Sequence, residues 1–148
     1  METGTKIHIY AFDNGLASCP HVTTALIDMY AKCGSIEQAL QVFCKSQFKD
    51  TYCWNALISA LALHGHGYDA IKIFGQMRKN HKRPDDITFI GLLNACSHSG
   101  LVQEGCQLFN SMQKDFGIPP RLVEPPRELI AWLNHDKVGV SYFRLMPL

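Results

Sequence analysis

The side chains able to do chemistry in this chain gather in a few short stretches. His64-Gly65-His66 and Cys96-Ser97-His98 each hold two donors of the metal-binding type. A zinc site needs about four converging ligands. Two donors one residue apart at a turn therefore read first as solvated or hydrogen-bonded turn side chains, and no metal is expected. Gly65-His66-Gly67-Tyr68-Asp69-Ala70 satisfies G-x-G-x-x-A, a dinucleotide-binding fingerprint. That fingerprint works only between a strand and a helix of a βαβ unit. Residues 56–63 could pass for a buried strand, but no repeated β-α-β pattern surrounds them, so no cofactor is expected. Six cysteines at positions 19, 33, 44, 53, 96 and 106 form no Cys-x-x-Cys pair, which reads as reduced thiols in a helical intracellular protein. Arg78, Lys79, Lys82 and Arg83 make the densest basic run. It is either a solvated helix end favoured by the helix dipole or a contact for phosphate. No residue is expected to be catalytic.

Those side chains must be placed by larger elements, and the elements repeat. Leu26, Gly34 and Phe43 recur 31 residues on as Leu57, Gly65 and Phe74, and 35 further as Leu92, Gly100 and Phe109. ALIDMYAKCGSIEQALQVF (25–43) lies over ALISALALHGHGYDAIKIF (56–74), and GLLNACSHSGLVQEGCQLF (91–109) over both. A period in this range denotes stacked supersecondary units rather than one closed core. Each unit splits around a glycine into two stretches of helical period: Leu57, Ile58 and Leu61, then Ala70, Ile71, Phe74 and Met77. The glycine is a helix stop. Ser35 with Gln38 three residues on has the form of a capping box opening a second helix. Ala39, Ala70 and Gly105 are small at equivalent places, so paired helices can approach closely. The expected fold is all-α, an α-solenoid of stacked antiparallel helical hairpins.

Polar boundaries at Lys49-Asp50 and Arg83-Pro84-Asp85 frame the units as 20–50, 51–85 and 86–120. Gly4, Ile7 and His8 stand 35 before Ala39, Val42 and Phe43, so residues 1–19 read as the second half of an earlier, truncated unit. The pattern stops after Pro119-Pro120. Residues 121–148 form a divergent tail, open to disorder, with a short helix at 127–134. Neither end has the polar cap of a complete solenoid, which suggests a piece of a longer array.

Bulk composition adds exclusions. The 148 residues are 47% apolar, enough for a packed interior, and carry a net charge of +1, which by itself points to neither nucleic acid nor membrane. No apolar run approaches the roughly 18 residues of a membrane span. METGTKIHIY is no secretory signal, and it lacks the Arg- and Ser-rich character of an organelle transit peptide.

With these residues on the page, the chain resembles the pentatricopeptide repeat proteins of plants, in their variant with repeats of unequal length. Residues 20–50 look like that family's short repeat. Residues 51–85 (WNALISALALHGHGYDAIKIFGQM, closing on Arg83-Pro84-Asp85) look like the standard repeat. Residues 86–120 (ITFIGLLNACSHSGLVQEGCQLFNSM, then DFGIPP) look like the long one, and METGTKIHIY resembles the second helix of a preceding long repeat. The resemblance covers residues 1 to about 123. Residues 124–148 fit nothing in the pattern, as in a truncated or mis-spliced reading frame.

The resemblance implies single-stranded RNA as partner, one base per repeat. It implies that the fifth and last residues of a repeat face the base: Thr24 with Asp50, and Asn55 with Asp85. By the family's pairing rule these prefer G and U, a 5′-GU-3′ footprint. Hydroxyl, amide and carboxylate groups can all bond a base edge. The resemblance makes the second residues, His21, Tyr52 and Ile87, the ones that sandwich bases, although His21 replaces the usual aliphatic side chain. The third unit departs: Ile90 and Pro120 offer neither donor nor acceptor, so its base should be free. The resemblance further implies an organellar RNA editing or processing factor, in mitochondrion or chloroplast, with other RNA-editing proteins as further partners. The family's editing chemistry needs His-x-Glu and a Cys-x-x-Cys pair on zinc, and this chain has neither. Two other readings stand beside it. One is a protein-binding scaffold like the tetratricopeptide repeats, which Trp54-x-x-Leu57 and Ala39-x-x-x-Phe43 also suit. The other is a non-functional gene fragment.

Overall fold

The computed structural model describes residues 2–119. Pro120, the tail at 121–148 and the helix expected at 127–134 lie outside the described residues. Among those described, the regular structure is helical: α1 (Glu2–Asp13), a 3-10 turn (Leu16–Ser18), α2 (Pro20–Lys32), α3 (Ile36–Lys45), α4 (Thr51–Leu63), α5 (Gly67–Lys79), α6 (Asp86–His98) and α7 (Val102–Phe116). No strand occurs among them, and residues 56–63 belong to α4, so the G-x-G-x-x-A stretch follows a helix.

Helices α2 and α3, α4 and α5, and α6 and α7 pair as hairpins. Each hairpin turns in the same way. Gly34, Gly65 and Gly100 hold φ of 77°, 70° and 67°, a left-handed conformation that costs glycine little. The residue after each glycine returns its N–H to a carbonyl five residues back: Ser35 to Tyr30 at 2.8 Å, His66 to Leu61 at 2.9 Å, Leu101 to Cys96 at 2.8 Å. This is the Schellman closure, which satisfies carbonyls orphaned at the helix end.

The capping box expected at Ser35 and Gln38 does not form, and the Ser35 side chain makes no capping bond. A capping box needs the backbone N–H of the cap residue free to meet the N3 side chain. At Ser35 that N–H is already committed to Tyr30. The reciprocal box forms instead at Asp85 and Thr88, where the chain enters α6 from Pro84 rather than from a Schellman turn.

The hairpins stack in two layers. Helices α2, α4 and α6 lie side by side, and α3, α5 and α7 back them. The first-layer helices are all 13 residues long, whereas the second-layer helices run 10, 13 and 15. Position in the stack explains composition. α4 meets α2, α3, α5 and α6 and buries eight of its residues, against four for the equally long α5. A helix walled on several sides must be apolar nearly all round.

Aromatic edges stitch one unit to the next. Phe43 meets Trp54 at 4.8 Å between ring centroids and Phe74 meets Phe89 at 5.7 Å, contacts of a kind worth about 1 kcal/mol beyond area burial. The turns add polar latches. His64 Nε2 donates to Ala31 O at 2.7 Å and His98 Nδ1 to Ala62 O at 2.8 Å. Ser99 Oγ accepts from Gly67 N at 2.9 Å and donates to Gly65 O at 2.8 Å. A Cβ on Gly67 would lie 2.6 Å from that Ser99 oxygen. Turn histidines and the G-x-G stretch are thus occupied in holding neighbouring units together. At the other end α1 covers α2, with Gly4 against Met29 and His8 Nδ1 3.0 Å from the Tyr30 hydroxyl.

Candidate nucleic-acid interface

A groove of 580 Å³ runs along the first-layer helices. α2 contributes His21 and Thr24, α4 contributes Tyr52, Asn55 and Leu63, and α6 contributes Ile87. Because α2, α4 and α6 start at Pro20, Thr51 and Asp86, the second and fifth positions of each recur on one helix face. Tyr52 and Ile87 stand 69% and 51% exposed there, beside Leu63 at 59%. Among the described residues these flat or apolar surfaces stay largely uncovered. Ile90 is half-buried against the core.

The junction of α4 with α6 holds a closed polar network. Asp85 caps α6, its Oδ1 accepting from Thr88 N at 2.9 Å. The same oxygen accepts from Asn55 Nδ2 at 2.9 Å. Thr88 Oγ1 accepts from Asp85 N at 3.0 Å, and its single proton serves Asn55 Oδ1 at 2.6 Å and Asp85 Oδ1 at 2.9 Å. Asn55 is 5% exposed and Thr88 fully buried. Asn55 and Asp85, thirty residues apart in sequence, are therefore in direct contact.

The junction of α2 with α4 has the same frame and a weaker centre. Asp50 caps α4 by accepting from Cys53 N at 2.9 Å. Cys53 occupies the place of Thr88. Its Sγ lies 3.4 Å from Thr24 Oγ1 and donates to Pro20 O at 3.4 Å. Thr24 and Asp50 meet through Cys53 rather than directly. Burial, with the Asp50 carboxylate adding to it, pushes the Cys53 thiol above its ordinary value, so the sulfur keeps its proton. Cys96 on α6 is pushed up further, to about 11, by burial and then by Glu104 and Cys106.

Arg78, Lys82 and Arg83 line one cleft with His81, Asp115 and Phe116, and each also has surroundings of its own. Arg78 lies over the rings of Phe116 and Phe74, 5.4 and 5.9 Å from their centroids. Lys79, the last residue of α5, is exposed. Lys82 turns into a cleft with Lys49 and Asp50, and Arg83 into another with Tyr52 and Asp85. Two cations, Lys82 and Arg83, thus flank the two capping aspartates. Among the described residues no group of three or more His, Cys, Asp or Glu side chains is placed to hold a metal.

Sequence reasoning passed over Cys53 and Thr88. The signal available was their position, three residues after an aspartate that opens a helix, at the same place in two successive units. The capping roles of Asp50 and Asp85 were legible by the same rule.

The PPR repeat family profile matches residues 49–98, and the PPR repeat profile matches 22–49 and 87–115. Among Arabidopsis thaliana proteins, pentatricopeptide repeat-containing protein ELI1, chloroplastic, is 45% identical over 82% of this chain and 20% of its own length. CRR2, chloroplastic, is 43% identical over 82% of this chain and 19% of its own. Pentatricopeptide repeat-containing protein At3g29230 is 41% identical over 100% of this chain and 25% of its own. That last match runs through residues 121–148, which the repeat pattern sets apart. The chain spans about a fifth of the length of the relatives it matches.

Proposed function

The chain belongs to the pentatricopeptide repeat family, and from that premise we propose that it binds single-stranded RNA along α2, α4 and α6, one base per repeat. The repeats are framed as 20–50, 51–85 and 86–120. The observation that carries the reading is the Asn55 Nδ2–Asp85 Oδ1 contact at 2.9 Å beside exposed Tyr52 and Ile87. It sets an amide and a carboxylate side by side at the edge of a groove with flat walls. A base inserted between Tyr52 and Ile87 would gain stacking worth roughly 1–3 kcal/mol and present its edge to that pair. His21 and Tyr52 would flank the preceding base, read by Thr24 and Asp50 as G, with U read by Asn55 and Asp85. The third base, opposite Ile90, is unselected. Lys82 and Arg83 supply the phosphate contacts, with Lys79 at the rim. Arg78, engaged with Phe116, contributes least.

The role is binding rather than catalysis. The chain acts as a segment of an organellar RNA editing or processing factor, alongside other RNA-editing proteins, in a mitochondrion or, as the names ELI1 and CRR2 suggest, a chloroplast. Two selective repeats are too few for tight association alone, since even good contacts only approach its entropic cost.

The test grafts residues 20–120 into a repeat array of known RNA preference and measures binding to RNAs varied at the three matching bases. Preference for G, then U, then none supports the reading. Substituting Asn55→Thr is expected to move the second base toward G. Equal binding to all bases favours a protein-binding scaffold.

A further inference from the structure

We infer that Thr88 is a positioning residue for base choice: buried behind the groove, it fixes which edge of the Asn55 amide faces a ligand, and Cys53 fills the same place one junction earlier with a weaker grip. The inference rests on the RNA-binding reading above and goes beyond it, because Thr88 is fully buried and touches no base itself.

The chemistry of the network dictates the role. A carboxylate only accepts, so the face of the Asn55 amide toward Asp85 Oδ1 must be its nitrogen. The Thr88 hydroxyl donates to the amide oxygen at 2.6 Å. The amide is thereby pinned at both ends, and a flip would set its carbonyl against the carboxylate. What remains for a ligand is one Asn55 N–H and Asp85 Oδ2, a donor beside an acceptor. That pair complements a ring edge carrying a carbonyl next to an N–H, which uracil and guanine present and cytosine and adenine do not; the narrow place between Tyr52 and Ile87 favours the smaller uracil ring. Without the Thr88 hydroxyl, the amide oxygen loses its fixed partner and the Asp85 backbone N–H loses its acceptor. The donor and acceptor then no longer hold one order.

At the earlier junction the thiol of Cys53 stands 3.4 Å from the Thr24 hydroxyl. A thiol is a weak donor and a weak acceptor. Thr24 can rotate between partners there, so the first base should be chosen less strictly than the second.

The experiment titrates ribotetranucleotides into the ¹⁵N-labelled 148-residue chain by NMR. The RNAs differ only at the base matched to the first or the second repeat. Two quantities are read: the spread of Kd across the four bases, and the separation of the two Asn55 side-chain amide protons, which needs no RNA. In the parent chain the protons should be well separated and the spread wider at the second base than at the first. Thr88→Val should narrow the separation toward that of a free asparagine amide and shrink the second-base spread roughly tenfold, leaving the first-base spread as it was. Thr88→Ser, which restores the hydroxyl, should recover both. Cys53→Thr asks the same question with the opposite sign, and should widen the first-base spread. A parent indifferent to all bases overturns the RNA reading and this inference with it. A discriminating parent whose Thr88→Val and Cys53→Thr variants discriminate just as it does overturns this inference alone.

Discussion

The two junctions between successive first-layer helices are built on one plan and differ in the groove-facing residue, Thr24 or Asn55, and in the residue behind it, Cys53 or Thr88. Both open a helix with an aspartate whose Oδ1 caps the backbone N–H three residues on. At the α4–α6 junction that third residue is Thr88, and its hydroxyl closes a network with Asn55 and Asp85. At the α2–α4 junction it is Cys53, and contacts of 3.4 Å replace bonds of 2.6–2.9 Å. Backbone geometry is thus set by the cap, while the grip on the groove-facing side chain is set by the residue behind it. A repeat can keep its fold and still vary how firmly it holds its groove-facing group.

The largest test of this contrast removes the caps. Asp85→Ala loses a capping interaction and strands a buried Asn55 N–H, so a cost of about 2–3 kcal/mol is expected. Asp50→Ala loses the cap alone, about 1 kcal/mol. Urea denaturation of both variants decides it, and equal losses would erase the distinction between the junctions. A smaller change should bring them together. Cys53→Thr gives the first junction a hydroxyl, and a gain of about 0.5–1 kcal/mol is expected in the same titration. A loss would mean the site is shaped for sulfur.

The smallest effect concerns the α1–α2 contact, which has neither device. Burial, and then the Lys45 charge, hold His8 below its ordinary value of 6.5. The folded state therefore binds fewer protons there than the unfolded chain. The stabilising contribution is present above about 6.5 and is lost as pH falls through the lowered value. Thermal midpoints should drop on acidification, and His8→Gln should flatten that dependence.

Much of this was readable beforehand. Leu, Gly and Phe at a repeating interval marked the hairpins because a glycine stop and a 3.6-residue period are local signals. The Asn55–Asp85 pair was reachable only through the family resemblance, since nothing in a single unit says that residue 55 will meet residue 85. The role of Thr88 was hidden for a related reason: its partners come from two different units. The Ser35–Gln38 box failed because the rule considers the helix being entered and not the one just left, whose Tyr30 carbonyl, in its final turn, had claimed the needed N–H.

The unequal lengths of the two layers have one more consequence. The helices of the groove are all 13 residues, about 20 Å each, while their backing helices grow from 10 to 15. Insertions and deletions between units therefore fall on the far side of the molecule. The groove behaves as a ruler with evenly cut marks on a handle of uneven thickness. Repeat length can change through the backing helices while the helices that line the groove keep one length.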